Sequence, residues 1–209
     1  LAHQPGQLTA RYAATLGEVE ATGARWLDCV ARAGAGTKTQ IHCVGDGAAW
    51  IALQAQHRFG AQASYLVDFY HVSEYLSAAA CNIAPTGTAA WRQQQQARLK
   101  ENNAAAVLAE LRPHLEPAQT PEAEAPVRAC YRYLTNQREH LDYCGALAQS
   151  LPIGSGEVEG GHRYVIQARL KRAGAWWKEE NAEKMLALRV NRANGEWEAY
   201  WQRQRQGTG

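Results

Sequence analysis

The stretch IHCVGDGAAWIALQAQHRFGAQASYLVDFYH, residues 41–71, opens with a short apolar segment that ends at an acid between two glycines. Residues 41–44 have the length and apolar composition of a buried strand. Gly45-Asp46-Gly47 ends this segment, because glycine weakens regular structure and is common in turns. The apolar spacing that follows predicts a helix over residues 48–60. The first half of the stretch therefore predicts a strand, an acid at its end and a helix.

The second half of the stretch repeats this arrangement. Residues 65–67 are strand-like, Asp68 follows them, and a helix is predicted to start near His71. Strand–acid–helix units in succession are typical of α/β proteins, so we expect an α/β core.

The segments on either side of this core are predicted to be helical. Residues 9–34 have apolar positions near helical spacing and predict a helix or a pair of helices. A helical insertion is predicted further on, interrupted by the Pro/Glu-rich link EPAQTPEAEAP, and the tail WEAYWQRQRQGTG predicts a helix that frays into a polar end. We therefore expect three segments: residues 1–80 with the first helix and both acid-bearing strands, residues 81–150 as the helical insertion, and residues 151–209 as C-terminal helices.

Composition and charge indicate a water-soluble globular protein. Hydrophobic residues make up 46% of the 209 residues, and no segment approaches the roughly 20 apolar residues of a membrane span. The beginning, LAHQPGQLTARYAATL, lacks the charged and apolar regions of a secretion signal. The five cysteines contain no CxxC pair, which favours a reduced cytosolic protein over a disulfide framework or a zinc ribbon. Because the net charge is only +2, any nucleic-acid binding must come from local clusters of cations.

Asp46, Asp68 and His71 each have a functional and a structural interpretation. An acid at the carboxyl end of a strand lies where ligands and metals gather in α/β proteins, yet Asp46 also suits a turn or a helix N-cap. Asp68 and His71 could assist a metal or phosphate site, or they could be an N-cap aspartate and a partly buried histidine.

The segment LPIGSGEVEGGHRYVIQARLKRAG, residues 151–174, predicts a helix with acids at its start and cations at its end. Ser155 is a predicted N-cap, so Glu157 and Glu159 lie in the first turn, where negative charge suits the helix dipole. We expect Glu157 to point to solvent, and we choose Glu159 as the functional acid because it borders the predicted buried stripe. The members of that stripe are Val158, Val165, Ile166 and Leu170.

The end of the same segment is rich in side chains that suit nucleic acid. Arginine and lysine bind phosphates, and tryptophan stacks on unpaired bases. The alternative is a solvated helix face followed by two core tryptophans. The residues concerned are Arg163, Arg169, Lys171, Arg172, Trp176 and Trp177.

Together, HCVGDGAAWI, YLVDFYHVSEYL and LPIGSGEVEGGHRYVIQARLKRAG resemble the motifs of bacterial insertion-sequence transposases of the DDE type. The resemblance spans most of residues 9–200, and the order of the motifs is more specific than any one of them. It implies an α/β fold that is helix-rich overall, with a partial RNase H-like core and a mostly α-helical insertion before the last acid. It also implies a cytoplasmic, nucleoid-associated bacterial protein.

The resemblance implies a chemistry and assigns roles. Such enzymes hold Mg²⁺ or Mn²⁺ with three carboxylates and displace an oxygen in line at a DNA phosphorus. Asp46 matches the second acid and Glu159 the third, both as metal ligands, and Asp68 and His71 match an accessory motif. The cations implied to face DNA are Arg163, Arg169, Lys171 and Arg172. The implied partners are DNA, as element ends and target, and further copies of the chain, with no membrane.

One part of the family pattern has no match. The first acid belongs on an opening strand upstream of residue 9, and Asp28 lies inside a helical pattern that does not suit this role. We therefore expect the chain to be the C-terminal part of a transposase, inactive on its own. The alternatives are a non-catalytic DNA-binding remnant of a transposase and an RNase H-like nuclease. A glycosidase that uses two carboxylates remains a further alternative.

Overall fold

The computed structural model describes residues 10–206. Two short strands, β1 (Ile41–Gly45) and β2 (Ala63–Val67), form a parallel two-stranded sheet. Most of the remaining described chain is helical. The α-helices are α1 (Val19–Arg32), α2 (Ala49–Phe59), α3 (Phe69–Ile83), α4 (Thr88–Lys100), α5 (Ala104–Leu111), α6 (Pro126–Asn136), α7 (Tyr143–Ala148), α8 (Gly156–Gly161), α9 (Ala168–Leu170), α10 (Glu179–Ala193) and α11 (Trp197–Gln206).

Shorter helical segments join some of these elements. A π-helical segment, His162–Gln167, connects α8 to α9 without a break. Turns of 3-10 helix lie at Gly60–Gln62, Arg112–His114, Glu122–Glu124 and Arg138–His140.

The strand–acid–helix expectation is confirmed at the level of these elements. Both predicted strands and both helices that follow them are present, and α2 spans Ala49–Phe59 where residues 48–60 are predicted. The fold is thus helix-rich with a small parallel sheet, which is compatible with the α/β class, whereas the RNase H-like core stays a prediction. The predicted helix over residues 9–34 is observed as α1, and residues 10–18 are not helical. The polar end that follows α11 lies outside the described residues.

The chain divides into two compact units. Within the described residues, the first unit consists of residues 10–41, Leu53–Ala63 and residues 156–206, and the second of His42–Ala52 and Ser64–Ser155. Each unit is built from more than one segment of the chain, and the predicted division at residues 80 and 150 stays a prediction.

The core of the second unit forms around α3. Val72, Leu76, Ala79 and Ala80 are fully buried, and their spacing places them on adjoining faces of one helix. This apolar face packs against α4 and α6. At about 25 cal/mol per Å² of buried apolar area, such packing is the main source of stability for the helical region.

Helix α6 is held at its buried face and at its beginning. Val127, Cys130 and Leu134 are fully buried. The first turn is capped from outside the helix, because the Glu116 carboxylate accepts hydrogen bonds from the Val127 amide at 3.0 Å and the Arg128 amide at 2.8 Å. The position of α6 in the second unit is therefore well defined.

In the first unit, the extended chain before α1 is fastened to α10. The Tyr12 amide donates to Asn194 Oδ1 at 2.8 Å, and Asn194 Nδ2 donates to the Tyr12 carbonyl oxygen at 3.0 Å. Glu183 accepts from the Leu16 amide at 2.7 Å. A Cβ on Gly161 would lie 2.7 Å from the Tyr12 ring, so this close approach depends on a glycine.

None of the helices described between residues 10 and 206 combines the length and the apolar character needed to cross a bilayer.

Candidate functional site

The two acids of the strand–acid–helix units lie at the same edge of the sheet. Asp46 follows β1 and Asp68 follows β2, and the strands are parallel neighbours. The Asp68 amide donates to the Gly45 carbonyl oxygen at 2.7 Å, so the hydrogen bonding continues to this edge. The carboxyl ends of parallel strands are a frequent place for ligands in α/β proteins.

Asp46 presents an accessible carboxylate at this edge. Its Oδ1 accepts a hydrogen bond from the Ala48 amide at 3.0 Å, which closes a local turn. The residue is exposed, so its carboxylate can meet a ligand from solvent. The predicted turn role and a binding role for Asp46 are therefore compatible.

Side chains from β2, from α6 and from the residue directly after α6 hold the backbone of the Asp46 turn. The Tyr133 hydroxyl donates to the Asp46 carbonyl oxygen at 2.8 Å, and Gln137 Nε2 donates to the Gly47 carbonyl oxygen at 2.8 Å. The Gly47 amide donates to the Tyr65 hydroxyl at 3.0 Å. The turn is thus bound to an adjacent strand and to a helix more than 80 residues later in the chain.

An open cavity of about 370 Å³ lies beside this turn within the second unit. It combines a carboxylate, an imidazole, a guanidinium and aromatic rings, which suits a polar ligand with a planar part. Its lining includes Asp46, His71, Tyr75, Arg132, Tyr133 and Asn136.

The aromatic side of the cavity is ordered by ring contacts. Tyr75 and Tyr133 stack with centroids 4.2 Å apart, and the His71 ring meets the Tyr133 ring edge-on at 5.7 Å. His71 Nδ1 lies 3.1 Å from Glu74 Oε2, a contact that orients the imidazole.

Burial shifts the tyrosines near Asp46 towards their neutral form. Burial raises the pKa of Tyr133, and the negative charges that would surround an ionised phenol raise it further. Burial also raises the pKa of Tyr65, although the hydrogen bond from the Gly47 amide acts in the opposite direction. Both hydroxyl groups therefore keep their protons at neutral pH, and Tyr133 remains a hydrogen-bond donor.

Asp68 is a buried helix cap, as one of its two interpretations predicts. Its Oδ1 accepts from the Tyr70 amide at 2.7 Å and the His71 amide at 3.3 Å, at the start of α3. Its Oδ2 accepts from the Ser155 amide at 2.8 Å and from the Ser155 hydroxyl. Because only 4% of Asp68 is exposed, its carboxylate serves these four donors inside the protein.

The residues just before the Gly-Ser-Gly motif are bound to β1 and to the start of α3. His42 Nε2 lies 2.9 Å from the Pro152 carbonyl oxygen, and the Phe69 amide donates to the Ile153 carbonyl oxygen at 2.8 Å. A Cβ on Gly154 would lie 2.4 Å from the Tyr70 ring, so glycine permits this packing. Ser155 is a predicted N-cap, and its hydroxyl group donates a hydrogen bond to Asp68 Oδ2. Its capping of α8 stays a prediction.

Glu159 lies on α8 in the first unit and is exposed, as is Glu157. The predicted buried stripe beside Glu159 is wrong at its first member, because Val158 is 46% exposed whereas Val165 is buried. The π-helical segment between α8 and α9 explains this, since its wider turn changes the phase of side chains relative to a continuous α-helix.

The convergence of Asp46 and Glu159 on one cation stays a prediction, because the two residues belong to different units. Between residues 10 and 206 no group of three or more histidine, cysteine or acidic side chains is arranged to hold a metal ion.

The predicted DNA-facing cations are exposed, and they lie in the first unit at Arg163, Arg169, Lys171 and Arg172. Trp176 is 98% exposed and Trp177 is 37% exposed. The interpretation of both as core tryptophans is therefore wrong.

These features define a class of protein: a helix-rich α/β protein with an exposed acid and an open polar cavity at the ends of its parallel strands. The chain belongs to the uncharacterised protein family UPF0236, whose model matches residues 26–205. No curated protein and no solved structure matches the chain.

Proposed function

We propose that the chain is part of a DDE-type DNA transposase and supplies the second and third acids of its catalytic site. The observation that carries the proposal is the exposed Asp46 carboxylate at the end of a parallel strand, beside an open polar cavity. Glu159 supplies the other acid, from the start of a helix that leads into exposed cations. The order of the three motifs in the chain supports the same assignment.

The donor set fits Mg²⁺ or Mn²⁺. These hard cations prefer oxygen ligands and commonly take one or two carboxylates from the protein, with water and phosphate completing the coordination. Asp46 and Glu159 are exposed carboxylates, whereas the Asp68 carboxylate is already occupied by internal donors. When bound, the cation supplies charge stabilisation at the reacting phosphate and activates an attacking hydroxyl group.

The remaining residues bind and orient the nucleic acid. Arg163, Arg169, Lys171 and Arg172 neutralise backbone phosphates, which adds a salt-dependent contribution to affinity. Trp176 presents its ring to solvent and stacks on an unpaired base, as exposed aromatic residues do in single-strand binding proteins. Catalysis then rests on positioning and on charge stabilisation.

The test uses the longest open reading frame that contains this chain, because the resemblance assigns it only two of the three acids. Purified protein is incubated with DNA carrying the element ends and Mg²⁺, and nicked and joined products are measured. We expect Asp46→Asn and Glu159→Gln each to reduce cleavage by more than about 100-fold, since even outer partners of metal sites cost 10–100-fold. Glu157→Gln is the matched control, because it removes another exposed acid from the first turn of α8.

Each outcome has a clear meaning. Cleavage that survives Asp46→Asn contradicts the proposal. Cleavage without joined products indicates an RNase H-like nuclease. Equal losses for Glu157→Gln and Glu159→Gln show that the assignment within the acid pair is wrong.

A second candidate function is DNA binding without catalysis. It is favoured by the exposed cations and by Trp176. Fluorescence anisotropy with single-stranded and duplex oligonucleotides tests this binding. Trp176→Ala should weaken single-strand binding by about 1–3 kcal/mol, the usual cost of one lost stacking contact, while Trp176→Phe retains it. Binding that persists in the full reading frame without any cleavage supports this second function.

A further inference from the structure

The turn that carries Asp46 is bound to a helix from a distant part of the chain. Tyr133 and Gln137 are four residues apart, one in the last turn of α6 and the other directly after it. Each donates a hydrogen bond of 2.8 Å to a backbone carbonyl of the turn, at Asp46 and Gly47 respectively. These bonds join two elements of the second unit.

The contact leaves little freedom on either side. Gly47 has a φ of +85°, and a Cβ there would lie 2.7 Å from the Tyr133 hydroxyl oxygen. On the other side, the Tyr133 ring is stacked on Tyr75, and the buried face of α6 includes Leu134. The turn backbone and the two donor groups are therefore in direct, close-fitting contact.

The backbone of this turn sets the direction of the Asp46 carboxylate. Asp46 Oδ1 is bound to the Ala48 amide at 3.0 Å, so a rotation of the peptides at Asp46 or Gly47 moves the carboxylate as well. Hydrogen bonds to those peptides act on the functional oxygen atoms without touching them.

We propose that Tyr133 and Gln137 are positioning residues, which fix the Asp46 turn so that its carboxylate is preorganised for a divalent cation. This inference rests on the proposed function. It assigns a role in the same site to α6, a helix of the segment that the sequence predicts to be an insertion. Tyr133 suits the role because its hydroxyl group donates to the Asp46 carbonyl oxygen while its ring is stacked on Tyr75.

The experiment measures the turn and the cation separately. Hydrogen exchange is followed at the amides of Gly47 and Ala48. Mn²⁺ affinity is measured by titrating the same full-length protein with Mn²⁺. We expect Tyr133→Phe and Gln137→Met to speed exchange at both amides and to weaken Mn²⁺ binding by about 10-fold, as outer partners of metal ligands do. Tyr131→Phe is the matched control, since it removes a half-buried phenol from the same helix, and it should leave both readouts within twofold of wild type.

The outcomes separate this inference from the proposed function. Asp46→Asn that binds Mn²⁺ as wild type does, or a wild-type chain with no measurable affinity, contradicts the metal site itself. Unchanged exchange in both Tyr133→Phe and Gln137→Met overturns the positioning role. Faster exchange with unchanged Mn²⁺ affinity, when Asp46→Asn loses binding, also overturns it and leaves these residues a purely structural role.

Discussion

Asp68 has a structural role, because its carboxylate joins the start of α3 to Ser155. Its carboxylate accepts two amides at the start of α3 and two donors from Ser155, and it is buried. Few lone-pair positions remain for a cation, because an ionised carboxylate has about four acceptor sites. Asp68 of the DFYH motif and Ser155 of the Gly-Ser-Gly motif are therefore partners in one contact.

We predict that Asp68→Ala destabilises the second unit by about 2–4 kcal/mol, because it removes a helix cap and leaves three partly buried amides without this acceptor. Urea unfolding followed by circular dichroism measures this loss. Asp28→Ala is the control, since the Asp28 side chain is 73% exposed and its contact with Arg32 is 3.9 Å long. It should change stability by less than about 0.5 kcal/mol. Equal effects of the two substitutions would contradict the role assigned to Asp68.

At the scale of elements, α6 connects the core of the second unit to the candidate site. One face of the helix is buried, its first turn is capped by Glu116, and its last turn reaches the Asp46 turn. Burial would raise the pKa of Glu116, but the hydrogen bonds from the Val127 and Arg128 amides and from Asn82 hold it below its ordinary value of 4.5. The charged form of Glu116 is thus the form that stabilises α6.

The lowered pKa of Glu116 predicts that stability depends on pH. A carboxyl group whose pKa is lowered on folding adds stability above its unfolded pKa, and this stability is lost as the pH falls through the folded pKa. Glu116→Gln should therefore cost about 0.5–1 kcal/mol at pH 7, and the difference from wild type should shrink as the pH falls below about 4.5. Thermal unfolding at a series of pH values measures it, with Glu124→Gln as a nearby exposed control. A difference that grows towards low pH contradicts the prediction.

For the whole molecule, local sequence patterns predict the elements well and their long-range contacts poorly. Apolar spacing and glycines correctly predict β1, α2 and the turn at Asp46, because these depend on neighbouring residues. The bonds from Tyr133 and Gln137 to that turn join positions 87 and 90 residues apart, and no periodic pattern encodes them. The contact of His42 with Pro152 likewise spans 110 residues, so no local sequence pattern predicts it. The π-helical segment also has no local signal that separates it from an α-helix.

The thiols offer a test of burial across the molecule. Burial raises the pKa of Cys43 to about 11 and that of Cys130 to about 12, and Cys29 is buried, whereas Cys81 and Cys144 are exposed. Since the thiolate is the reactive form, we expect Cys81 and Cys144 to react rapidly with Ellman's reagent at pH 8 and the other three only on unfolding. Replacing Cys81 and Cys144 by serine should abolish the rapid phase. Rapid labelling of Cys43 or Cys130, identified by peptide mass, contradicts this burial.

The long separation between the Asp46 turn and α6 also has a consequence for synthesis. Asp46 leaves the ribosome first, and Tyr133 follows 87 residues later, so the turn exists for a time without its tethers. Closing a loop of this length costs conformational entropy, and the packing of the completed helical core offsets this cost. A nascent chain that stops before α6 therefore contains Asp46 but lacks the two side chains that hold its turn. We expect the candidate site to form only after α6 and Gln137 have been synthesised.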